Sequence, residues 1–194
     1  HSISKLSNYH FVTHEIYKKR LIQLGEQKKN IFNVGSLGVQ NFIESKKIQK
    51  KILLKKYNIP LDKKLALVTF HPETKSKTNF KRQIQILLSS LNSIKNIYYI
   101  FTYNNMDTYG LYFINELKKF NEKNRNSIIF ESMGSKLYFS FLKNVDLVIG
   151  NSSSGIIEAP SAKTLTLNIG SRQLGRIKAK SVFTCELSKK KIIL

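Results

Sequence analysis

Apolar and polar positions follow two periods along the chain, which predicts a regular succession of strands and helices. Short runs of apolar and β-branched residues predict strands, and stretches with apolar residues every three or four positions predict helices. The predicted strands cover residues 11–13, 32–34, 65–70, 97–103, 127–130, 146–149, 165–168 and 182–184. The predicted helices cover residues 15–24, 48–57, 80–91, 108–121, 136–143 and 153–160. This alternation predicts an α/β fold, a Rossmann-like parallel sheet with helices on both faces.

The carboxyl ends of the predicted strands are where we expect a ligand to bind. Strand 65–70 reads LALVTF and is apolar on both sides, as expected for a parallel sheet that is covered on both faces. In such sheets, ligands bind outside the carboxyl ends of the strands. His71, Tyr103 and the segments 150–153 and 170–172 lie at these ends. They form the candidate site.

The segment 145–155 reads VDLVIGNSSSG and leads from a predicted buried strand into a predicted helix. A helix that begins here directs unpaired backbone N–H groups and the positive end of its dipole towards the strand end, which favours an anion. A serine N-cap in a loop is the simpler interpretation. Capping uses two of these serines at most, so the additional hydroxyls favour phosphate.

A carboxylate, a histidine and two arginines accompany the serine segment. Glu158 follows Ser154 by one helical turn, and a carboxylate beside a phosphate site suits the hydroxyls of a ribose; an ordinary glutamate near a helix start is the alternative. His71 precedes Pro72, which favours an extended backbone, although a lone histidine is usually structural. Arg172 and Arg176 lie near glycines that permit a close backbone approach, or are exposed loop residues. Together these residues predict a binding site for a nucleotide.

The remaining chemistry of the chain is sparse. The carboxylates near strand ends, Glu73 and Glu131, have no obvious acidic partner, so we expect the acid and base of any reaction to lie elsewhere. The single cysteine, Cys185, forms no internal disulfide, and the four histidines have no metal-ligand spacing. We therefore expect no metal and no cofactor, and the catalytic residues remain unknown.

The high net charge is weak evidence for a nucleic-acid ligand. The net charge is +21, with 33 lysines and arginines and a pI of about 10.0. Most of them are lysines scattered over predicted helix surfaces, which weighs against nucleic acid, although a nonenzymatic polyanion-binding module remains an alternative. The chain contains neither a long apolar run nor a secretion signal, so we expect a cytoplasmic protein without a membrane partner.

Several segments, taken in order, resemble the C-terminal domain of the hydrolysing UDP-N-acetylglucosamine 2-epimerases of the sialic-acid pathway. That family has a two-domain, glycosyltransferase-B-like architecture. The segments that carry the resemblance are HSISKLS, YKKRLIQLGE, IFNVGS, LVTFHPET, DLVIGNSSSGIIEAPS and NIGSRQLGR. Lys163 and Leu165 stand where the family usually has Gly and Pro, which predicts a differently shaped loop before an intact strand.

The resemblance implies a role for each candidate residue. The residues that would hold the UDP diphosphate are His71, Ser152, Ser153 and Arg172. Glu158 would accept the ribose hydroxyls, and Met133 and Tyr138 would lie near the uracil. His71 and Arg172 would also assist the departure of UDP, because cationic and N–H groups stabilise charge on a leaving phosphate.

The resemblance also implies the reaction and the organisation. UDP would be eliminated from UDP-N-acetylglucosamine to leave a glycal, whose hydration gives N-acetylmannosamine. Residues 1–194 would form a single UDP-binding domain, with the catalytic N-terminal domain and a final helix outside the chain and a homo-oligomer in the full-length form. By itself this chain would be inactive. Alternatives are an epimerase of a UDP-2,4-diacetamido-trideoxyhexose in legionaminic acid synthesis and a GT-B glycosyltransferase.

Overall fold

A computed structural model describes residues 1–71, 73, 78–103 and 110–194 of the chain. The chain divides into two compact units, His1–Ile43 and Glu44–Leu194. The expectation of a single UDP-binding domain over 1–194 therefore stays a prediction. None of the helices in the described ranges has the length and apolar character needed to cross a bilayer.

The first unit is a small parallel pair of strands with helices around it. Its elements are α1 (Ser2–Leu6), β1 (His10–Val12), α2 (Glu15–Gln23), a 3₁₀ turn (Lys28–Asn30), β2 (Ile31–Asn33) and the start of α3 (Leu37–Glu44). Strands β1 and β2 pair in parallel from His10 with Ile31 to Val12 with Asn33. Glu26 forms an ion pair with Lys5, with Oε1 2.8 Å from Lys5 Nζ, and its Oε2 lies 3.2 Å from His10 Nε2, which ties α1 and β1 to the segment after α2.

The second unit contains a six-stranded sheet between helices. Its elements are α4 (Lys50–Lys56), β3 (Lys64–Thr69), α5 (Phe80–Asn92), β4 (Ile97–Thr102), α6 (Gly110–Asn124), β5 (Ser127–Phe130), α7 (Gly134–Asn144), β6 (Leu147–Gly150), α8 (Ser154–Ser161), β7 (Leu165–Ile169), β8 (Val182–Cys185) and α9 (Lys189–Ile193). The strand order is β5-β4-β3-β6-β7-β8, and every pairing is parallel. The order reverses between β3 and β6, which is the topological switch point where such sheets bind ligands.

The core of the second unit lies on both faces of this sheet. Five of the six residues of β3 are buried, because helices cover the strand on each side. On one face, Val68 and Phe101 pack with Leu87 and Phe113 of the helices α5 and α6. Asn79 is the N-cap of helix α5, and its side chain accepts from Arg82 N at 2.9 Å. The α/β fold class that the periodicity predicts is confirmed.

The element boundaries differ from the predicted ones in a few places. Helices α1 and α3 are absent from the sequence prediction. Strand β6 starts at Leu147, and the residue before it, Asp146, accepts from Leu65 N at 2.9 Å and from Lys64 Nζ at 3.2 Å. Pro72 and Thr108, which carry two of the predictions, lie outside the described residues.

Lys163 lies in the turn before β7 and has a left-handed backbone. Lys163 has φ 60, the left-handed conformation that glycine adopts readily and other residues adopt at a cost. Strand β7 follows as predicted. The lysine therefore keeps a backbone conformation typical of glycine at this position.

Gly150 provides a test of the close approach of β3 and β6. It has φ 135, and a Cβ there would overlap the backbone carbonyl of Thr69, its partner in the ladder. We expect Gly150→Ala to lower the free energy of unfolding by about 3 kcal/mol or more, because backbone atoms must shift. The measurement is denaturant unfolding followed by circular dichroism.

Gly175→Ala is the matched control for this prediction. Gly175 has φ 82 but no described atom within 4 Å of the added Cβ. We expect it to cost about 1–2 kcal/mol, from the left-handed backbone alone. Equal losses for the two variants would show that the contact with Thr69 is unimportant.

Candidate functional site

The side chain of Asn151 joins the two strand ends at the switch point. Asn151 is 1% exposed and follows β6 directly. Its Oδ1 accepts from His71 N at 2.7 Å, and its Nδ2 donates to His71 O at 2.7 Å. The amide imitates a peptide group and continues the pairing of β3 and β6 beyond the ladder. His71 is thereby held beside the serine segment.

The loop after β7 reaches the same point through the backbone of Asn151. Asn151 O accepts from Arg172 Nη1 at 3.1 Å and from the buried Gln173 Nε2 at 2.7 Å. The Arg172 guanidinium therefore lies against the carboxyl end of β6. The residues predicted to hold the diphosphate meet at this edge of the sheet: His71, Ser152, Ser153 and Arg172. Their ligand roles stay predictions.

The serine hydroxyls form few capping hydrogen bonds with the amides of α8. Ser153 is the N-cap of α8, but its hydroxyl accepts no capping bond from the amides of that helix. Ser152 Oγ accepts from Ser154 N at 3.4 Å, which is a long hydrogen bond. The first turn is closed by backbone bonds such as Ile157 N to Ser153 O at 2.9 Å. The simpler interpretation, a loop with a serine cap, therefore accounts for few of these hydroxyls.

Glu158 carries a buried oxygen that the fold does not satisfy. It is beyond the first turn of α8, so the helix dipole accounts for little of its placement. Its Oε2 is buried and has no hydrogen-bond partner within the described part of the chain. An unsatisfied buried carboxylate oxygen is costly, and a hydroxyl donor from a ligand would satisfy it.

Tyr138 lies next to Glu158. Burial raises the pKa of Tyr138 to about 12, and the nearby Glu158 charge also raises it, whereas the adjacent hydroxyls of Ser154 and Thr69 lower it. The phenol is thus neutral at physiological pH and can donate a hydrogen bond. Tyr138 brings helix α7 to the edge formed by β3 and α8.

A pocket of about 390 Å³ opens beside Tyr138, between the ends of β4 and β5 and the start of α7. Met133 and Tyr138, the two residues predicted near the base, both line it. Tyr103 and Glu131 also line it, and burial and the Glu131 charge raise the pKa of Tyr103. Tyr138 therefore takes part both in this pocket and in the environment of Glu158.

Glu73 corrects one interpretation of the sequence. The glycines around Arg172 suggest that the loop backbone approaches a ligand, but Glu73 Oε1 accepts from Ser171 N at 2.7 Å and from Arg172 N at 2.8 Å. Gly170 has φ 82, and a Cβ there would overlap the Glu73 carboxylate. The loop amides thus bind a side chain of the protein. Arg176 is exposed in the same loop, and its side chain forms no hydrogen bond or ion pair with the described residues of the site.

The sequence analysis missed the positioning amides and the role of Glu73. Asn151 and Gln173 stand inside predicted motifs; Asn151 directly follows β6, whereas Gln173 lies four residues beyond the end of β7. Their partners are distant in sequence, so no spacing identifies them. In the described parts of the chain no three His, Cys, Asp or Glu side chains come together to bind a metal.

Asn151 tests whether the site depends on its amide. We expect Asn151→Ala to lower the free energy of unfolding by about 2–4 kcal/mol, because both polar groups of the His71 peptide lose a buried partner. Asn124→Ala is the control, since among the described residues Asn124 Nδ2 donates to Phe120 O alone, at 2.8 Å, at the end of α6. A loss no larger than that of the control, measured by denaturant unfolding, would contradict the role of Asn151.

The chain has relatives among known proteins along its whole length. The model of the family described as UDP-N-acetylglucosamine 2-epimerase matches residues 1–194. A GDP/UDP-N,N'-diacetylbacillosamine 2-epimerase (hydrolyzing) of Campylobacter jejuni is 44% identical over 97% of this chain. The polysialic acid biosynthesis protein P7 of Escherichia coli is 41% identical over 100% of it. A UDP-N,N'-diacetylbacillosamine 2-epimerase (hydrolyzing) of Legionella pneumophila is 34% identical over 97% of it.

Two solved structures share the fold, and all these matches cover only part of the longer proteins. The S. aureus MnaA–UDP co-structure superposes with a TM-score of 0.74 at 13% identity, over 98% of this chain and 51% of that one. The UDP-N-acetylglucosamine 2-epimerase of Neisseria meningitidis bound to UDP-GlcNAc superposes with a TM-score of 0.65 at 15% identity, over 98% and 52%. The chain spans about half the length of the three curated relatives, 49% of each. Its full-length match to the family model and its identity to these relatives show that it belongs to the UDP-N-acetylglucosamine 2-epimerase family.

Proposed function

We propose that this chain supplies the UDP-binding part of a hydrolysing UDP-N-acetylglucosamine 2-epimerase. The enzyme would convert UDP-N-acetylglucosamine and water into N-acetylmannosamine and UDP. One observation carries the proposal: an arginine, a histidine and two serines meet at the switch point, beside a helix start. Positive charge, hydroxyls and the positive end of a helix dipole at one point suit a diphosphate.

The neighbouring groups fit the rest of the nucleotide. The unsatisfied Oε2 of Glu158 accepts the hydroxyls of the ribose, and the neutral phenol of Tyr138 lies next to it. The pocket lined by Met133 and Tyr138 receives the uracil ring. In this arrangement the nucleotide lies along the sheet edge, with its base towards β5 and its phosphates between β3, β6 and β7.

The contribution of this chain to the reaction is stabilisation of the leaving group. Elimination removes the proton from C2 of the sugar and breaks the bond from C1 to the phosphate oxygen, so negative charge develops on UDP. Arg172, His71 and the start of α8 are placed to oppose that charge. The acid and base that move protons would come from outside these 194 residues.

A second candidate is the same reaction on a UDP-diacetamido-trideoxyhexose. Two of the relatives, at 44% and 34% identity, carry the name of a diacetylbacillosamine 2-epimerase. The two reactions share the nucleotide and differ in the sugar. Contacts to the nucleotide therefore do not separate them, and the choice of sugar must be measured.

The role of Glu158 can be tested with a ligand that lacks the ribose hydroxyls. We expect Glu158→Ala to weaken UDP binding by about 1.5–3 kcal/mol, since a charge-assisted hydrogen bond is lost. Binding of 2′,3′-dideoxyuridine diphosphate should not change. Calorimetry on the complete protein measures both affinities, and Glu122→Ala, on the exposed face of α6, is the matched control. Equal weakening for the two ligands would remove Glu158 from the ribose site.

The reaction itself can be tested by product analysis. The complete protein, incubated with UDP-N-acetylglucosamine alone, should release UDP and N-acetylmannosamine, detected by a coupled UDP assay and by NMR. This 194-residue chain by itself should release no UDP. Turnover of the UDP-diacetamido-trideoxyhexose alone would support the second candidate. UDP release that requires an added acceptor would identify a glycosyltransferase and reject both.

A further inference from the structure

Glu73 fills the turn that follows β7. Its Oε1 accepts from the backbone N–H groups of Ser171 and Arg172 at 2.7 and 2.8 Å, and its Oε2 accepts from Ser171 Oγ at 2.8 Å. Successive N–H groups in a turn with a left-handed residue form a concave anion site, and Gly170 supplies that residue with φ 82. This concave site is occupied by a carboxylate from a segment 98 positions earlier.

Gln83 fixes the backbone of Glu73 from the other side. Gln83 lies on α5 and is 1% exposed. Its Oε1 accepts from Glu73 N at 2.8 Å, and its Nε2 donates to Glu73 O at 3.1 Å and to Thr78 O at 2.8 Å. Both polar backbone groups of Glu73 are thus bound to a buried side chain. Hydrogen bonds to Gln83 therefore fix the backbone that carries the Glu73 carboxylate.

This arrangement holds Arg172 at both ends. Its amide is bound to Glu73 at 2.8 Å, and its guanidinium donates to Asn151 O at 3.1 Å. A free arginine side chain samples many rotamers, so fixing its backbone and its guanidinium beforehand removes much of the entropic cost of binding an anion. The Glu73 charge is compensated by three donors.

We propose that Glu73 is a positioning residue, which fixes the loop 170–173 and acts on the diphosphate of the substrate through Arg172. The inference rests on the proposed function, since it needs a UDP-sugar at this edge of the sheet. It assigns to Glu73 a role that its place in the sequence does not reveal. Glu73 itself need not touch the ligand.

Two variants and two ligands test the proposal by calorimetry on the complete protein. Glu73→Ala removes the acceptor, and we expect UDP binding to weaken about tenfold or more while binding of uridine, which lacks the diphosphate, stays the same. Glu73→Gln keeps an oxygen for the two N–H groups and an amide for Ser171 Oγ. We expect it to retain UDP affinity within about threefold.

A double-mutant cycle separates positioning from general stability. If Glu73 acts through Arg172, Glu73→Ala should have almost no further effect on UDP binding in the Arg172→Ala background. Should the alanine variant fail to fold, Glu73→Asp takes its place: it keeps the charge but is one methylene too short to reach the turn. Thermal unfolding of each variant reports folding independently of binding.

The outcomes are distinct. Equal weakening for UDP and uridine, an undiminished effect in the Arg172→Ala background, or a loss in Glu73→Gln as large as in Glu73→Ala would each overturn the inference. A wild-type protein that binds no UDP would reject the proposed function itself. Wild-type binding that Glu73→Ala leaves unchanged would reject only the role of Glu73.

Discussion

The candidate site depends on the close approach of β3 and β6 at the point where the strand order reverses. Gly150 leaves no room for a side chain against Thr69, so the two backbones stay in contact up to the last ladder position. Beyond the ladder, the side-chain amide of Asn151 takes the place of a backbone partner for His71. Crossover connections leave the two strands in opposite directions, and such ends normally separate and expose polar backbone groups to water. Here one buried amide keeps His71 and the serine segment together.

Two carboxylates near the anion site have different roles, and the number of donors around each explains the difference. Glu73 accepts three hydrogen bonds from the protein, so its charge is compensated within the fold. Glu158 has an oxygen that is buried and unsatisfied by the described residues, and in the proposed function a donor from the ligand would satisfy it. In the proposed function, repulsion between phosphate and carboxylate would be avoided at Glu73, and Glu158 would recognise a hydroxyl.

The high net charge contributes less to the site than a few placed groups do. The chain carries +21, yet among the described residues the groups assigned to the proposed diphosphate are one arginine, one histidine, two serines and a helix start. Lysine charges on solvated surfaces are screened beyond about 10 Å at ordinary ionic strength, whereas groups at a strand edge act at contact distance. The proposed leaving-group stabilisation therefore depends on how Arg172 is held more than on the number of cations.

The sequence by itself determined the alternation of strands and helices, the fold class and the strand ends at which His71, Ser152, Ser153 and Arg172 lie. These features are local, because the spacing of apolar residues within a short segment determines where each strand and helix begins and ends. The short helix α3 escaped detection although Ser36 precedes it and accepts from Val39 N at 3.4 Å, because eight residues show too little of the helical period. Only the tertiary structure decided that Asn151 binds the His71 peptide, that Glu73 binds the turn at Ser171 and that Glu158 keeps an oxygen which no described residue satisfies. Hydrogen-bond partners 80 and 98 positions away leave no trace in the local pattern, so carboxylates that look alike in sequence acquire opposite roles in the fold.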